Sequence, residues 1–261
     1  MFKFDGKVVL VTGGTQGMGL VTAGALAAAG ATVAICGRDA EKGKRSAADL
    51  TTKAGREVRF FLADIANPES VEKLVDSVME AWGKLDLAFN NAGVTSEYAR
   101  VGDASIANWQ RTIDINVNGT FYAMKYEIAA MLKNGGGAIV NNSSVLGLMP
   151  VSRQSGYVTS KAAILALTKS AAMEYAREDE GRPRIRINVI APGPILGGMN
   201  TEEKLASNPA STQRKLALTA MNRFGTPEEV VTSVLWLLSD ESSYVTGAVI
   251  PVDGGASAGK F

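Results

Sequence analysis

Short apolar runs rich in β-branched residues alternate with helix-forming segments along the chain. The first three runs are Lys7–Thr12, Thr32–Cys36 and Val58–Leu62, and a stretch with helical character follows each of them. Largely apolar strands, without an alternating polar face, are typical of strands that are buried on both sides. The pattern therefore predicts an α/β fold in which a doubly wound parallel sheet is flanked by helices on both faces.

Four more strands and six helices complete the predicted order. The strands are expected at Leu85–Phe89, Gly137–Asn141, Arg184–Ile190 and Ala248–Val252. The helices are expected at about 17–30, 39–54, 68–82, 107–133, 155–177 and 226–238. No linker divides the chain, so we expect one domain that spans residues 1–261. The segment at about 191–215 begins with a Pro- and Gly-rich break and is predicted to be a substrate loop.

Composition excludes several classes of function. The chain has no histidine and one cysteine, Cys36, which excludes the Ser-His-Asp hydrolase triad and the usual zinc sites. We expect no metal site, since a carboxylate-bound Mg²⁺ or Ca²⁺ has no loop signature here. With 27 basic and 26 acidic side chains, the charge balance does not favour binding to nucleic acid or to a membrane surface. The N-terminal residues lack the apolar run of a signal peptide, so a cytoplasmic protein is expected.

A glycine-rich loop follows the first predicted strand. Residues Thr12–Gly19 read Thr-Gly-Gly-Thr-Gln-Gly-Met-Gly, and the next predicted helix begins at Gly17. Glycines let the backbone turn tightly, and the N-terminus of a helix presents unpaired N–H groups to an anion. The loop is therefore predicted to bind phosphate, although it has neither the G-x-G-x-x-G spacing nor a P-loop ending. The alternative is a turn whose glycines serve packing alone.

The end of the second predicted strand bears on which dinucleotide is bound. An acidic residue there would bind the ribose hydroxyls of NAD, but this chain has Gly37-Arg38-Asp39. The guanidinium of Arg38 suits the 2′-phosphate of NADP, so the sequence favours NADP(H), with NAD(H) as the alternative. Arg38 could equally be only solvated, and Asp39 could be a helix N-cap or a displaced ribose ligand.

Tyr157 and Lys161 lie four residues apart and so share one face of a predicted helix. In a chain without histidine, a tyrosine is a candidate for proton transfer near neutral pH if its pKa is lowered from about 10. An ammonium beside the phenol favours the phenolate, so Lys161 is expected to lower the pKa of Tyr157. Taken alone, the pair could also be two ordinary helix residues.

Three motifs together resemble those of the short-chain dehydrogenase/reductase family in its one-domain form. They are the glycine loop, Asn90-Asn-Ala-Gly93 after the fourth strand, and Tyr157-x-x-x-Lys161, in the family's order and spacing. The resemblance runs from Lys7 to Gly255. It implies a Rossmann-type sheet and an NAD(P)-dependent homotetrameric oxidoreductase that interconverts a ketone and a secondary alcohol.

The resemblance also implies roles for the residues around Tyr157. Tyr157 matches the general acid/base, and Ser144 matches the catalytic serine, with Ser143 as the runner-up. Lys161 matches the residue that lowers the tyrosine pKa and holds the nicotinamide ribose. Asn116 matches the asparagine that supports a water-linked proton relay to the lysine.

A larger set of residues is expected to bind the cofactor. Asp64 resembles the aspartate that contacts adenine, or could cap the helix before Pro68, and Asn90 resembles the residue beside the adenosine ribose. The complete expected set is Gly13, Thr15, Gln16, Gly17, Met18, Gly19, Arg38, Asp64, Ile65, Asn91, Ala92, Gly93, Tyr157, Lys161, Pro192, Gly193 and Ile195.

The segment after the sixth strand departs from the family pattern. The family places a threonine after Pro-Gly-x-x-x, but this chain reads Pro192-Gly-Pro-Ile-Leu-Gly197. The usual hydroxyl contact to the nicotinamide carboxamide is therefore missing, and backbone groups or Thr201 are the candidates to replace it.

The substrate is expected to be a small, mostly apolar ketone or the corresponding alcohol. Thr95, Met149 and Gln154 are the candidate contacts, and Arg100 and Arg153 are the candidate cations near them. Two other functions stay open: a non-catalytic nucleotide-binding sensor, and an epimerase or dehydratase that uses the same cofactor.

Overall fold

A seven-stranded parallel sheet runs through the computed structural model, which describes residues 2–179 and 181–259 of the chain. Its strands are β1 (Val8–Thr12), β2 (Thr32–Gly37), β3 (Val58–Leu62), β4 (Leu87–Asn90), β5 (Gly137–Asn142), β6 (Ile185–Pro192) and β7 (Val249–Val252). Their spatial order is β3-β2-β1-β4-β5-β6-β7, which confirms the predicted doubly wound sheet. Strand addition reverses direction between β1 and β4, and ligands of such sheets bind in the crevice at that point.

Helices cover both faces of this sheet. They are α1 (Gly17–Ala28), α2 (Ala40–Ala54), α3 (Pro68–Trp82), α4 (Ile106–Ile113), α5 (Gly119–Lys133), α6 (Val145–Leu148), α7 (Ser155–Tyr175), α8 (Glu202–Ser207), α9 (Pro209–Leu216) and α10 (Pro227–Leu238). Helix α1 packs against α2 and α10 on one face, and α3, α5 and α7 contribute to the apolar cluster on the other. None of the described helices is both long enough and apolar enough to span a membrane.

The side chains of β1 explain why the strand is apolar throughout. Val8 and Leu10 belong to the cluster beneath α3 and α5, whereas Val9 and Val11 belong to the cluster beneath α1 and α10. None of the four is more than 4% exposed. Burial of each such side chain contributes about 1.5–3 kcal/mol, so this one strand anchors both helical layers to the sheet.

The predicted helix at 107–133 is divided in the structure. Helix α4 ends at Ile113, a π-helical turn covers Asp114–Asn118, and α5 begins at Gly119. Apolar periodicity alone did not reveal the interruption, because the chain stays helical through it. Single π-helical turns are frequently found at functional sites, and this one holds Asn116.

The segment at 191–215, predicted to be a loop, contains the short helices α8 and α9. Thr201 Oγ1 accepts from the Lys204 N–H (3.4 Å) at the start of α8, and Asn208 Oδ1 accepts from the Ser211 N–H (3.0 Å) at the start of α9. Neither helix has a buried residue, so the apolar periodicity that marks a helix in sequence is absent. In the sequence, the N-cap residues Thr201 and Asn208 were the signals that could have indicated where these two helices begin.

Candidate functional site

A groove of about 580 Å³ opens at the carboxyl ends of the strands. The predicted residues that line it are Gly13, Gln16, Gly17, Met18, Arg38, Asp64, Ile65, Asn91, Ala92, Gly93, Thr95, Ser144, Tyr157, Lys161, Pro192, Gly193 and Ile195. The predicted or candidate residues outside its lining are Thr15, Gly19, Asp39, Asn90, Arg100, Asn116, Met149, Arg153, Gln154 and Thr201. The fold thus brings segments from most of the chain length to one groove.

The glycine loop lies so close to the end of β4 that side chains are excluded at two positions. Gly13 has φ +64°, and a Cβ on it would lie 2.9 Å from the Cα of Ala92. A Cβ on Gly19 would lie 2.4 Å from the Gly13 carbonyl oxygen. The N-cap of α1, Gln16, makes no side-chain hydrogen bond to the helix, so that side chain leaves the first N–H groups uncapped. This cradle fits the phosphate groups of a dinucleotide.

The end of β2 presents one cation, Arg38, to the same groove, and Lys42 of α2 contacts the glycine loop. Arg38 is exposed on the groove, and the Lys42 amine donates a hydrogen bond to Oε1 of Gln16 in the glycine loop. Asp39 is the N-cap of α2, where its carboxylate accepts from the Lys42 N–H at 3.0 Å. Of the alternatives for Asp39, the structure thus gives the helix cap. Gly37, the last residue of β2, has no side chain and so offers no carboxylate to a ribose.

Asp64 lies on the groove beside Ile65, directly after β3. The alternative that it caps α3 is wrong, because Asn67 is the N-cap and accepts from the Ser70 N–H at 2.7 Å. Asp64 instead accepts from the Ala66 N–H at 3.1 Å, which orients its carboxylate in a local turn.

Asn90 was expected beside the adenosine ribose, but its side chain does not line the groove. Its side chain is 3% exposed and donates to Glu127 and Asn141 inside the protein. The next residue, Asn91, lines the groove and donates to the carbonyl oxygens of Thr12 (3.2 Å) and Gly13 (3.3 Å). Successive residues of a strand point to opposite faces, so the side chains of the neighbours Asn90 and Asn91 point to the interior and to the groove, respectively.

Ser144, Tyr157 and Lys161 lie together on the groove wall. Helix α7 carries Tyr157 and Lys161 one turn apart, and Lys161 Nζ lies 5.7 Å from the centroid of the Tyr157 ring. The amine donates to the carbonyl oxygen of Asn142 at 2.8 Å. Ser143 Oγ donates to the Lys161 carbonyl at 2.7 Å, so its hydroxyl is already used within the protein. Ser144 is therefore the better placed of the two serines to contact a ligand.

The electrostatics of this pair differ from the sequence-based expectation. Burial raises the pKa of Tyr157, and a hydrogen bond with Ser144 opposes that rise only in part. Burial also lowers the pKa of Lys161 to about 8. Contrary to the expectation of a lowered pKa, loss of hydration is the larger effect on the buried phenol and raises the pKa of Tyr157.

Asn116 is fully buried and lies behind the groove, in the π-helical turn. Its Oδ1 accepts from the Val94 N–H at 2.8 Å, and its Nδ2 donates to the Val94 carbonyl and to Ser160 Oγ, both at 2.9 Å. Ser160 Oγ in turn donates to the Tyr157 carbonyl at 2.8 Å. Asn116 thus connects the segment after β4 to the helical turn that carries Tyr157.

The segment after β6 crosses the groove and reaches the glycine loop. A Cβ on Gly17 would lie 3.1 Å from the Cα of Gly198. Gly197 stands where the family pattern has a threonine, and its φ of +78° belongs to the left-handed region that favours glycine. Thr201, a candidate to replace the missing hydroxyl, uses its Oγ1 as the N-cap of α8.

The structure revises the expected substrate contacts. Thr95 lines the groove, whereas Met149 and Gln154 do not. Two cations that were not among the named candidates, Arg111 and Lys204, are part of the lining, and Lys204 lies within the predicted substrate loop at 191–215. Arg111 lies four residues before Ile115 and so shares a helix face with it, and Ile115 is next to the predicted site residue Asn116. This spacing was the sequence signal that could have identified Arg111.

The two arginines that were expected near the substrate lie elsewhere. The Arg153 guanidinium lies 5.6 Å from the centroid of the Tyr98 ring, and Arg100 precedes a short 3₁₀ turn at Val101–Asp103. Neither residue is part of the groove lining.

Comparison with known proteins identifies relatives over nearly the whole chain. A family model described as enoyl-(acyl carrier protein) reductase matches residues 13–257. The short chain dehydrogenase/reductase astE of Aspergillus oryzae is 38% identical, and the match covers 98% of this chain and 97% of the relative. A cyclohexanol dehydrogenase of Acinetobacter sp. (strain SE19) is 39% identical over 97% of this chain and 95% of the relative.

A solved structure shows the same architecture. The crystal structure of an NAD⁺-bound xylitol dehydrogenase superposes with a TM-score of 0.90 at 35% identity, covering 97% of this chain and all (100%) of that chain. The similarity therefore includes the groove as well as the sheet.

Proposed function

Because the chain belongs to the short-chain dehydrogenase/reductase family, we propose that it is an NADP(H)-dependent oxidoreductase that interconverts a small, mostly apolar ketone and its secondary alcohol. Members of this family use nicotinamide cofactors, NAD(P)(H), and act on alcohols and ketones. The proposal adds two points to this family-level activity: the preference for NADP over NAD, and the kind of substrate.

One observation carries the proposal: Ser144, Tyr157 and Lys161 lie together on the groove that also contains the glycine loop. The bound nicotinamide cofactor supplies or accepts the hydride. Ser144 and Tyr157 hydrogen-bond the substrate oxygen, and Tyr157 gives its phenolic proton to that oxygen during ketone reduction. During alcohol oxidation the tyrosinate removes the same proton. Stabilisation of the charge that develops on the oxygen supplies much of the acceleration.

NADP is favoured by the charges at the end of β2. Arg38 and Lys42 bring two positive charges close to the glycine loop, and Asp39 is occupied as a helix cap. A 2′-phosphate binds well to such donors, since hydrogen bonds between ionised partners are about twice as strong as neutral ones.

NAD is the alternative cofactor, and one observation favours it. The related xylitol dehydrogenase structure contains NAD⁺.

A small neutral substrate is supported by apolar residues in the groove lining, among them Leu196 and Met199. The related cyclohexanol dehydrogenase is named for a small cyclic alcohol. Arg111 and Lys204 also reach the lining, so a substrate with one anionic group belongs in any test.

The decisive experiment is a turnover panel that follows the absorbance of the reduced nicotinamide with NADPH and with NADH. The panel includes cyclic ketones, linear ketones, their alcohols, a keto acid and an enoyl thioester. We expect the highest kcat/KM with NADPH and a neutral cyclic or branched ketone. Tight nucleotide binding without turnover of any of these would support the sensor, and turnover without net change in absorbance would support an epimerase or dehydratase.

Cytoplasmic location, one domain over residues 1–261 and a homotetramer stay predictions from the sequence. Light scattering on the purified protein tests the assembly directly.

A further inference from the structure

Glu127 is an ionisable residue that the proposed reaction does not use. It lies in the middle of α5 and is fully buried, at 0% exposure. Among the described residues its carboxyl group has one hydrogen-bond donor, the Asn90 side chain, whose Nδ2 lies 2.9 Å from Glu127 Oε2. A buried carboxyl group with no cation beside it is unusual, because an unpaired charge in the protein interior is costly.

The hydrogen bonds around Asn90 leave two oxygen atoms without a donor. Asn90 Nδ2 gives its second proton to Asn141 Oδ1 at 3.1 Å. Asn141 Nδ2 donates to Thr168 Oγ1 (2.9 Å) and to Met124 Sδ (3.1 Å). Both amides have thus used all their N–H groups, while Asn90 Oδ1 and Glu127 Oε1 are buried and without a partner in the described part of the chain. An ionised carboxylate has no proton that could pair them.

In the described part of the chain, no cation forms a hydrogen bond or an ion pair with the Glu127 carboxyl group. Helix α3 faces α5 with Val71, Leu74, Val75 and Val78. Two cations on neighbouring elements are used in other hydrogen bonds: Lys161 donates to the Asn142 carbonyl, and Arg186 donates to Leu237, Ser239 and Ser242. Cys36 is a buried thiol. The carboxyl groups of α3, on Glu69, Glu72 and Asp76, lie near Tyr126. Burial raises the pKa of Glu127 to about 8, against a smaller opposing effect of the bond from Asn90.

We propose that Glu127 is held as a neutral carboxylic acid that donates its proton to Asn90 Oδ1, and that this acid–amide pair positions the ends of β4 and β5 for cofactor binding. A proton on Glu127 Oε1 that is donated to Asn90 Oδ1 gives each of the two unpaired oxygen atoms a hydrogen-bond partner. Asn90 Nδ2 keeps its hydrogen bond to Glu127 Oε2. Glu127 is a positioning residue, since it does not touch the groove.

The acid–amide pair acts through the residues that follow Asn90 and its hydrogen-bonded neighbour Asn141 in the chain. Asn90 precedes Asn91, whose side chain donates to the carbonyls of the glycine loop. Asn141 precedes Asn142, whose carbonyl oxygen accepts a hydrogen bond from the Lys161 amine. The Asn142 amide also donates to Asn91 Oδ1 at 3.1 Å, so the two strand ends are joined on the groove side as well. The positioning part of this inference rests on the proposed function, whereas the protonation state does not.

The protonation state is tested by infrared difference spectroscopy and by unfolding as a function of pH. At pH 7 the wild type is expected to show the carbonyl stretch of a protonated carboxylic acid, and Glu127→Gln is expected to lack it. The folded state holds a proton that the unfolded state releases at its ordinary pKa of 4.5, so wild-type stability falls as pH rises from 4.5 to about 8 and then levels. Glu127→Gln, whose amide mimics the neutral acid, should lack this component. The matched control Glu72→Gln, at an exposed carboxylate on α3, should retain it.

The positioning role is tested by the dissociation constant of NADPH. Glu127→Gln is expected to bind within about twofold of the wild type at pH 7, whereas Glu127→Leu, which leaves the Asn90 side chain without its carboxyl partner, is expected to bind at least about tenfold more weakly. The wild-type constant should rise through pH 8 more steeply than that of Glu127→Gln, a difference that titration of Lys161 in both proteins does not produce.

Three outcomes would overturn the proposal. They are no acid band at pH 7, a Glu127→Gln protein with the wild-type dependence of stability on pH, and equal NADPH affinity in Glu127→Leu. If Glu127→Leu does not fold, the first two readouts still decide the protonation state, and the comparison of pH-dependent affinity decides the positioning. An acid band in a protein that turns over no ketone or alcohol would contradict the proposed function alone.

Discussion

The Nζ atom of Lys161 lies 5.7 Å from the centroid of the Tyr157 ring, and its hydrogen bond goes to the carbonyl oxygen of Asn142. The two side chains share a helix face, and the lysine amine is held by the last residue of β5. Burial therefore dominates both groups: the pKa of Tyr157 is raised and that of Lys161 is lowered. The pair is poised to respond to whatever charge and hydrogen bonds a bound cofactor brings to the groove.

Replacement of Tyr157 by phenylalanine should abolish proton transfer and leave the groove intact. We expect kcat to fall by about 10²- to 10⁴-fold, the usual contribution of a general acid or base. The dissociation constant of NADPH, followed by fluorescence, should change little. Tyr98→Phe, outside the groove lining, is the control. Wild-type turnover in Tyr157→Phe would remove Tyr157 from the mechanism.

Oxidation and reduction should depend on pH in opposite senses. Alcohol oxidation requires the phenolate, and the raised pKa of Tyr157 makes that form scarce at neutral pH. Hence kcat/KM for oxidation should climb on the alkaline side, while that for ketone reduction stays level near neutrality and then declines. The Lys161 ammonium loses its proton as pH passes about 8, so the KM for cofactor should also rise there. Parallel pH profiles in the two directions would contradict this assignment.

Arg38 and Lys42 should select NADP(H) over NAD(H). Loss of hydrogen bonds to a charged group costs about 1.5–3 kcal/mol, which corresponds to a roughly 10- to 100-fold weaker affinity. We therefore expect Arg38→Ala and Lys42→Ala to bind NADPH less tightly by up to that factor, with NADH affinity unchanged. Calorimetric titration with both nucleotides provides the measurement, and Lys44→Ala on the same helix is the control. An equal loss for both nucleotides would indicate a general electrostatic effect instead.

Gly19 should tolerate no side chain. Its Cβ would lie 2.4 Å from the Gly13 carbonyl oxygen and 2.5 Å from Asn91 Nδ2, so Gly19→Ala must displace the glycine loop. We expect a lower melting temperature and at least about tenfold weaker binding of both nucleotides, since each 1.4 kcal/mol lost is tenfold in affinity. Gly102→Ala, where a Cβ meets nothing within 4 Å, should behave as the wild type. Normal nucleotide affinity in Gly19→Ala would show that the loop does not form the phosphate site.

Restoration of the family threonine at Gly197 should not improve the enzyme. A β-branched residue at φ +78° costs about 1–3 kcal/mol, so the segment must leave its position beside Gly17. We expect Gly197→Thr to raise the KM for cofactor and to lower the melting temperature by a few degrees, about 2–4 °C for each kcal/mol of strain that the segment retains. Gly197→Asn, which adopts left-handed backbone more readily, should be milder. A lower KM in the threonine variant would mean that the segment rearranges around the cofactor.

Several features of the site were readable from the sequence because they depend on neighbours along the chain. The glycine loop between β1 and α1 and the four-residue spacing of Tyr157 and Lys161 are local patterns, and both lie on the groove. The Asn116 motif was also readable, but not its fully buried position behind the groove wall.

Other features depended on which segments meet. Arg111 and Lys204 reach the groove from α4 and α8, and no local pattern shows which side chains of those segments face it. The caps of α8 and α9 were visible in the sequence, but without a buried face those helices carried no periodic signal.

The sequence by itself determined the doubly wound sheet, the family and the residues that gather at the carboxyl ends of the strands, since apolar periodicity and glycine spacing are local properties. Only the tertiary structure decided that Asn91 rather than Asn90 faces the groove, that Glu127 is buried against Asn90, and that burial raises the pKa of Tyr157. Side-chain direction at a strand end and the loss of hydration depend on contacts between segments far apart in the chain, which is why they were not readable from the order of residues.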